Sequence, residues 1–122
     1  MGTINKIFGF MPALAQNSGL TRYPNRAILE TTEANAQFDF PKCMIIFMGA
    51  FVQANTLNGI TTINLRVGGV TQDSFTIAAG ATGLQNKAVN VVVENLDLIS
   101  FQIVTAGTTG TITFRGGGFI YE

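Results

Sequence analysis

A chain of 122 residues, 47% of them apolar, is long enough for one domain with a core of its own and too apolar to be disordered. Charged residues make up only 11%, less than half the usual ~25%. Formal net charge is zero and no basic cluster is present, so a nucleic-acid backbone has no electrostatic footprint here, and the longest apolar run, Cys43 to Val52, is too short to span a membrane. The polar surface must come from fifteen Thr, ten Asn and six Gln. A surface so poor in charge suits a chain whose exterior largely faces other protein; the alternative is a Thr-rich extracellular surface.

In chain order, the first feature is KIFGFMPALAQN, residues 6 to 17. Its lysine, apolar run and Ala13-Leu14-Ala15 outline a secretory signal with an A-x-A cleavage site. The apolar stretch is thin, since Gly9 and Pro12 break it, and a cut after Ala15 would give an unusually short signal. The expectation is therefore a retained arm with no cleaved signal peptide. Ile7, Phe10, Met11 and Leu14 follow helical spacing, but a glycine and a proline inside the pattern disfavour a helix. Residues 1–25 read as an N-terminal arm, mostly irregular, with one short turn at PALAQN. Burial of its side chains alone does not offset the entropy of ordering it. The arm must also satisfy its backbone by joining a sheet edge or docking between subunits. Its partner-binding residues are Ile7, Phe8, Phe10, Met11 and Leu14.

From residue 26 the period changes to two. Short strands are predicted at Ala27 to Thr32, Ala36 to Phe40, Cys43 to Val52, Thr61 to Val67, Ser74 to Ala78, Ala88 to Glu94, Leu98 to Thr105 and Thr111 to Arg115. A last apolar piece, Phe119 to Tyr121, follows three glycines. Ile63, Leu65, Val67, Phe75 and Ile77 face inward, Ile112 and Phe114 are buried, Val89, Val91 and Val93 share one face of their strand, and Ile99, Phe101 and Ile103 share one face of theirs. Strand 43–52 is apolar on both faces, with Cys43, Ile45, Phe47 and Phe51 on one and Met44, Ile46, Met48 and Val52 on the other. One face fills a core and the second needs another cover. Many short strands joined by Gly-rich turns give an all-β fold, an antiparallel jelly-roll sandwich of eight to nine strands over residues 26–122. An immunoglobulin-like sandwich is the alternative. Two loop tips echo each other, AAGATG at 78–83 and TAGTTG at 105–110.

Residues suited to catalysis are sparse. With no histidine, Ser-His and Cys-His pairs and His metal ligands are excluded. Cys43 is the single cysteine, so no intrachain disulfide forms, and it reads as a small buried hydrophobe. Glu94 and Asp97 flank the turn ENLD; they suit either a Ca²⁺ or acid/base pair, or a solvated hairpin turn, which the Asn and Asp content favours. The glycines of RGGG, 115–118, suit a bulge or a close backbone approach. Phe119 and Tyr121 suit sugar or base stacking, or packing in a core or subunit interface. No catalytic residue, metal or cofactor is expected, and the chain does not read as an enzyme.

The half from Ile60 onward, INLRVGG, DSFTIAAGATG and AVNVVVENLDLISFQIVTAGTTGTITFRGGG, resembles the trimeric jelly-roll proteins of tailed-bacteriophage particles. These are capsid decoration or cement proteins and related fibre modules, with a tumour-necrosis-factor-like architecture. The resemblance implies a homotrimer located in the virion, made in the host cytoplasm, that binds capsid or tail protein. Neither nucleic acid nor membrane is an expected partner. Subunit-interface residues are expected at Phe47, Met48, Phe119 and Tyr121. The competing expectations are a carbohydrate-binding jelly roll using Phe119, Tyr121 or loop carboxylates, a tail or fibre component, and a capsid-forming jelly roll. The last suffers from short length and the lack of a basic terminus.

Overall fold

The computed structural model describes residues 6–11, 13–25 and 28–122, and of Ile7, Phe8, Phe10 and Met11 it describes the backbone only. Among these residues the elements are β1 (Lys6–Met11), β2 (Leu14–Asn17), β3 (Thr21–Asn25), β4 (Ile28–Glu30), a 3₁₀ turn (Glu33–Asn35) and β5 (Phe38–Phe40). They continue as β6 (Cys43–Asn55), β7 (Thr61–Val67), β8 (Val70–Ile77), β9 (Gly83–Val93), β10 (Asp97–Thr105) and β11 (Thr111–Tyr121). The protein is all-β, two antiparallel sheets with one core between them.

The first sheet runs β1-β11-β6-β9, with β2 lying beyond β1 along the same edge of β11. In the second, the order is β4-β3-β10-β7-β8, with β5 also on β10. From β5 onward each connection passes to the other sheet, except the β7–β8 hairpin. That hairpin turns on Gly68 and Gly69, with φ of 60° and 78°. Two successive positive φ values make the tight turn whose twist matches antiparallel strands, and glycine adopts them without a steric penalty.

Period-two patterning places the core. Ile63 and Leu65 of β7, Ile77 of β8, Val89, Val91 and Val93 of β9, Ile99, Phe101 and Ile103 of β10, and Ile112 and Phe114 of β11 are all buried between the sheets. Val67 and Phe75 are partly buried against them. The β7, β8 and β11 residues were expected inside, and the β9 and β10 residues were each expected to share one face, which is the inner one.

Two expectations need correction. The first concerns residues 1–25, expected to be mostly irregular. Residues 6–11, 14–17 and 21–25 are strands of the same two sheets. The physical reason is the backbone: an apolar arm that cannot be helical finds donors and acceptors along β11, where Gly9 stands opposite Gly118 and Ala15 opposite Thr113. The two strands are separate, β1 ending at Met11 and β2 beginning at Leu14. These strands, with β11 running unbroken through Gly116–Gly118, raise the strand count above the eight or nine expected.

The second correction concerns strand 43–52. Strict alternation would put Ile45 and Phe47 on one face. The register shifts between them on both sides of β6, which is how a bulge re-aims side chains. Ile45, Met48, Ala50 and Val52 therefore point into the core, while Phe47 and Phe51 share the outer face.

Candidate interaction surface

The two outer faces of the sandwich differ in chemistry. On the second sheet, polar side chains satisfy one another. Asn64 Nδ2 donates to Gln102 Oε1 at 2.7 Å, and Gln102 Nε2 to Tyr23 Oη at 2.9 Å. Arg66 forks onto Glu33 through Nε and Nη2 and reaches the Gly69 carbonyl and Thr71 Oγ1, while Ser100 Oγ donates to Glu33 at 2.9 Å. Led by the Arg66 hydrogen bonds, these contacts hold the Glu33 carboxyl below its ordinary pKa. The network straps the 3₁₀ turn onto β7 and β10.

The first sheet turns a different face outward. Its strands β6, β9 and β11 contain just two charged residues, Lys87 and Arg115. Lys87 Nζ is paired with Asp73 Oδ1 at 2.6 Å, across to the β8 edge of the second sheet. Residues opposite one another in antiparallel strands share a face, so the ladders define the outer surface row by row. One row is Ile120, Phe47 and Ala88; the next is Gly9, Gly118, Gly49 and Asn86; the third is Gly116, Phe51 and Leu84. Leu84 is 64% exposed and Phe51 40%. Farther along, Met44 stands opposite Val92.

The middle row makes a slot. Rows on one face lie about 6.6 Å apart along a strand, and a row of glycines has no side chains to fill that space. The resulting cleft is about 410 Å³, lined by Gly9, Gly49, Gly117, Gly118, Phe47 and Ile120, with Leu84 and Asn86 at the β9 end. Strand glycines cost roughly 0.5–1 kcal/mol each relative to alanine. Gly49 has a local reason, because a Cβ there would lie 3.0 Å from both Asn86 Cβ and the Gln85 carbonyl oxygen. Among the described residues, the nearest atom to a Cβ added at Gly9 is the Gly117 carbonyl oxygen at 3.7 Å, ordinary contact distance.

The residues expected at an interface divide between inside and outside. Phe47 lies on the outer face beside the slot. Met48 and Phe119 are 1% and 2% exposed, inside the sandwich. Phe119 packs edge-on to Phe40 at 5.4 Å and beside Tyr121 at 5.9 Å, and Tyr121 packs edge-on to Phe40 at 5.0 Å. These rings join the sheets at one end of the core, so the Phe119 ring is enclosed by its own chain and offers no stacking face. Of the arm residues, Leu14 is half-buried in β2 opposite Phe114. The side chains of Ile7, Phe8, Phe10 and Met11 lie outside the described part of the structure.

The ENLD turn is closed by its own groups. Asp97 Oδ2 accepts from the Glu94 N–H at 3.0 Å, and the Asp97 N–H donates to the Glu94 carbonyl at 3.2 Å. Its positive φ, 64°, falls on Leu96 rather than on Asn95. Among the described residues no cluster of three Cys, Asp or Glu is placed to hold a metal. Cys43 is half-buried against the core, and burial raises its thiol pKa.

Sequence reasoning flagged Gly116–Gly118 but missed that Gly9 and Gly49 line up with Gly118. That alignment is a product of register between strands far apart in sequence. No family model matches this chain, and no curated protein or solved structure matches it either.

Proposed function

We propose that this protein is a non-enzymatic structural component of a virus particle: a homotrimeric jelly roll that binds the capsid and stabilises the shell. The observation that carries the reading is the outer face of the first sheet. It is apolar, nearly free of charge, and crossed by the Gly9-Gly118-Gly49 row that floors the cleft. A lone soluble sandwich gains nothing from such a face, whereas a chain that packs against protein does. Two further observations favour the jelly-roll assignment. One is the strand order, with β1/β2-β11-β6-β9 facing β3/β5-β10-β7-β8. The other is the chain's passage from sheet to sheet at nearly every turn, as a double Greek key requires. Capsid binding itself rests on the resemblance of the C-terminal half and on multivalency, since three linked subunits hold a shell far more tightly than one.

The test has two parts. Sedimentation equilibrium on the full chain should give three times the protomer mass. Cosedimentation with shells assembled without this protein should then show saturable binding and a higher temperature of shell disruption. A chain that neither assembles nor sediments with shells would refute the reading.

A further inference from the structure

We propose that Asn58 is a site of spontaneous covalent modification, and that its conversion to aspartate and isoaspartate through a cyclic imide unlocks the loops at one end of the sandwich. The site lies in the loop 56–60 between β6 and β7, where Asn58 is exposed and is followed by Gly59. Asn58-Gly59 is the one Asn-Gly pair in the chain. Glycine puts no side chain in the way of the backbone nitrogen that must approach the carboxamide carbon. Three features of the structure act together there.

The first is the electrophile. Asn58 Oδ1 accepts the Thr108 N–H at 2.9 Å and the Thr109 N–H at 3.3 Å, both from the facing loop 106–110. Two backbone donors aimed at one carbonyl oxygen are the arrangement that stabilises a developing oxyanion. Asn58 Nδ2, the departing group, donates to Thr108 Oγ1 at 3.1 Å. The second is the nucleophile. Among the described residues the Gly59 N–H has no acceptor. The N–H that follows Asn17, Asn35, Asn55 and Asn95 is taken in each case: Ser18 donates to the Gly110 carbonyl, Ala36 to that of Glu33, Thr56 to that of Thr111 and Leu96 to that of Phe40. The third is the space around the pair. A Cβ added at Gly107 would lie 2.2 Å from Asn58 Oδ1 and 2.9 Å from the Gly59 nitrogen, so a glycine at 107 is what lets carboxamide and nucleophile sit here together.

The reaction needs only water. Solvent hydroxide takes the Gly59 N–H proton, the nitrogen bonds to Asn58 Cγ, and the carbonyl electron pair moves onto Oδ1 between its two donors. The pair returns, the Cγ–Nδ2 bond breaks, and Nδ2 takes a proton from Thr108 Oγ1, which solvent replaces, and leaves as ammonia. Water then opens the imide at either carbonyl, giving aspartate or isoaspartate. Isoaspartate adds a methylene to the backbone at a place where a Cβ on Gly59 would already stand 2.6 Å from the Ala106 carbonyl carbon. The lengthened chain cannot keep that approach, so the loops 56–60 and 106–110 part. Either product also sets a carboxylate among the loops 18–20, 56–60, 78–82 and 106–110, which contain no formal charge.

The readout is the gain of one mass unit when amide becomes acid. The full chain is held at neutral pH and body temperature, folded in buffer and unfolded in guanidinium chloride. The Asn58 peptide is then followed by mass spectrometry, with isoaspartyl methylation identifying the iso form. Conversion at Asn58 should run at least about fivefold faster in the folded chain, because unfolding removes the two donors and leaves the sequence unchanged. The isoaspartyl fraction, separated by charge, should melt at a lower temperature than the parent. Gly107→Ala, which wedges Oδ1 off its donors, should bring the folded rate down to the unfolded one; if that variant does not fold, the wild-type comparison decides alone. A folded rate equal to or below the unfolded rate, a folded Gly107→Ala as fast as wild type, or an isoaspartyl fraction that melts like its parent overturns the inference.

Discussion

Glu33 is held by Arg66 and Ser100 with both partners of the ion pair 18% exposed, so its charge is not a bland surface charge. Its carboxyl pKa is depressed in the folded state, chiefly by the Arg66 hydrogen bonds. A depressed acid contributes stability that is present above its unfolded pKa of roughly 4.3 and is lost as pH falls through the folded value. Urea midpoints measured from pH 6 down to pH 3 should therefore fall, with Asp73, depressed by Lys87, adding in the same direction. Arg66→Met should cost about 1–3 kcal/mol at pH 7, since it strips hydrogen bonds from a charged group, and should flatten the acid dependence. A second pair of residues separates strain from clash. Gly83 and Gly110 both have positive φ, 88° and 99°, and occupy the same place in the two echoed loops, as Gly80 and Gly107 do. Around Gly83 an added Cβ meets nothing, whereas at Gly110 it would run into the Thr56 carbonyl. Gly83→Ala should cost about 1–2 kcal/mol from backbone conformation alone. Gly110→Ala should cost clearly more, and thermal melts of the two variants side by side test the difference.

Among elements, β6 and β11 form the centre of the first sheet, and their bulges decide what each neighbour does. Phe47 and Met48 are adjacent, yet one faces out and the other is core. Met48→Asp buries an unpaired charge and should leave the chain unfolded or aggregated. Phe47→Asp should keep the circular dichroism of the fold and lower the assembled mass. Equal behaviour of the two would contradict the register. The edge formed by β1 and β2 calls for a similarly careful cut. Gln16 of β2 is buried, and its Nε2 donates to Ile103 O at 2.9 Å and Leu20 O at 3.2 Å, tying the first sheet to the second. Deleting residues 2–20 would therefore damage the core as well as the arm. Deleting residues 2–11 removes β1 and spares β2. It should leave a folded chain with the Gly117–Tyr121 edge of β11 uncovered, and hence with more aggregation and lower shell occupancy. Undiminished occupancy in a cosedimentation assay would deny β1 a part in attachment. These elements also mark how far local pattern reaches. Strand β7 was legible to the residue, because Thr61 to Val67 alternates cleanly and ends at two glycines. Strands β1 and β2 were not, because a thin apolar arm becomes strand only when a free edge is available.

At the scale of the whole molecule, the first sheet's outer face and the second's polar face make a two-sided particle with zero net charge. An interface built on uncharged rows should be nearly indifferent to salt. The association constant should change by less than about threefold between 50 and 500 mM NaCl, where a charge-steered contact would weaken steeply. A large salt dependence in sedimentation would place the contact on other residues. Composition and period two, by themselves, determined that the chain is all-β, which side chains fill the core from Thr61 onward, and that little ionic surface is left over. Those are local matters, since alternate residues of a strand must face opposite ways and too few charges are present to cover the exterior. What the tertiary structure decided was everything that depends on pairing between distant segments. It moved Met48 inside and Phe47 outside through a bulge, enclosed Phe119 against Phe40, and joined β1 and β2 to β11. It also brought Gly9, Gly118 and Gly49 into one row, because register is set by which strands become neighbours and no stretch of sequence contains its own partner.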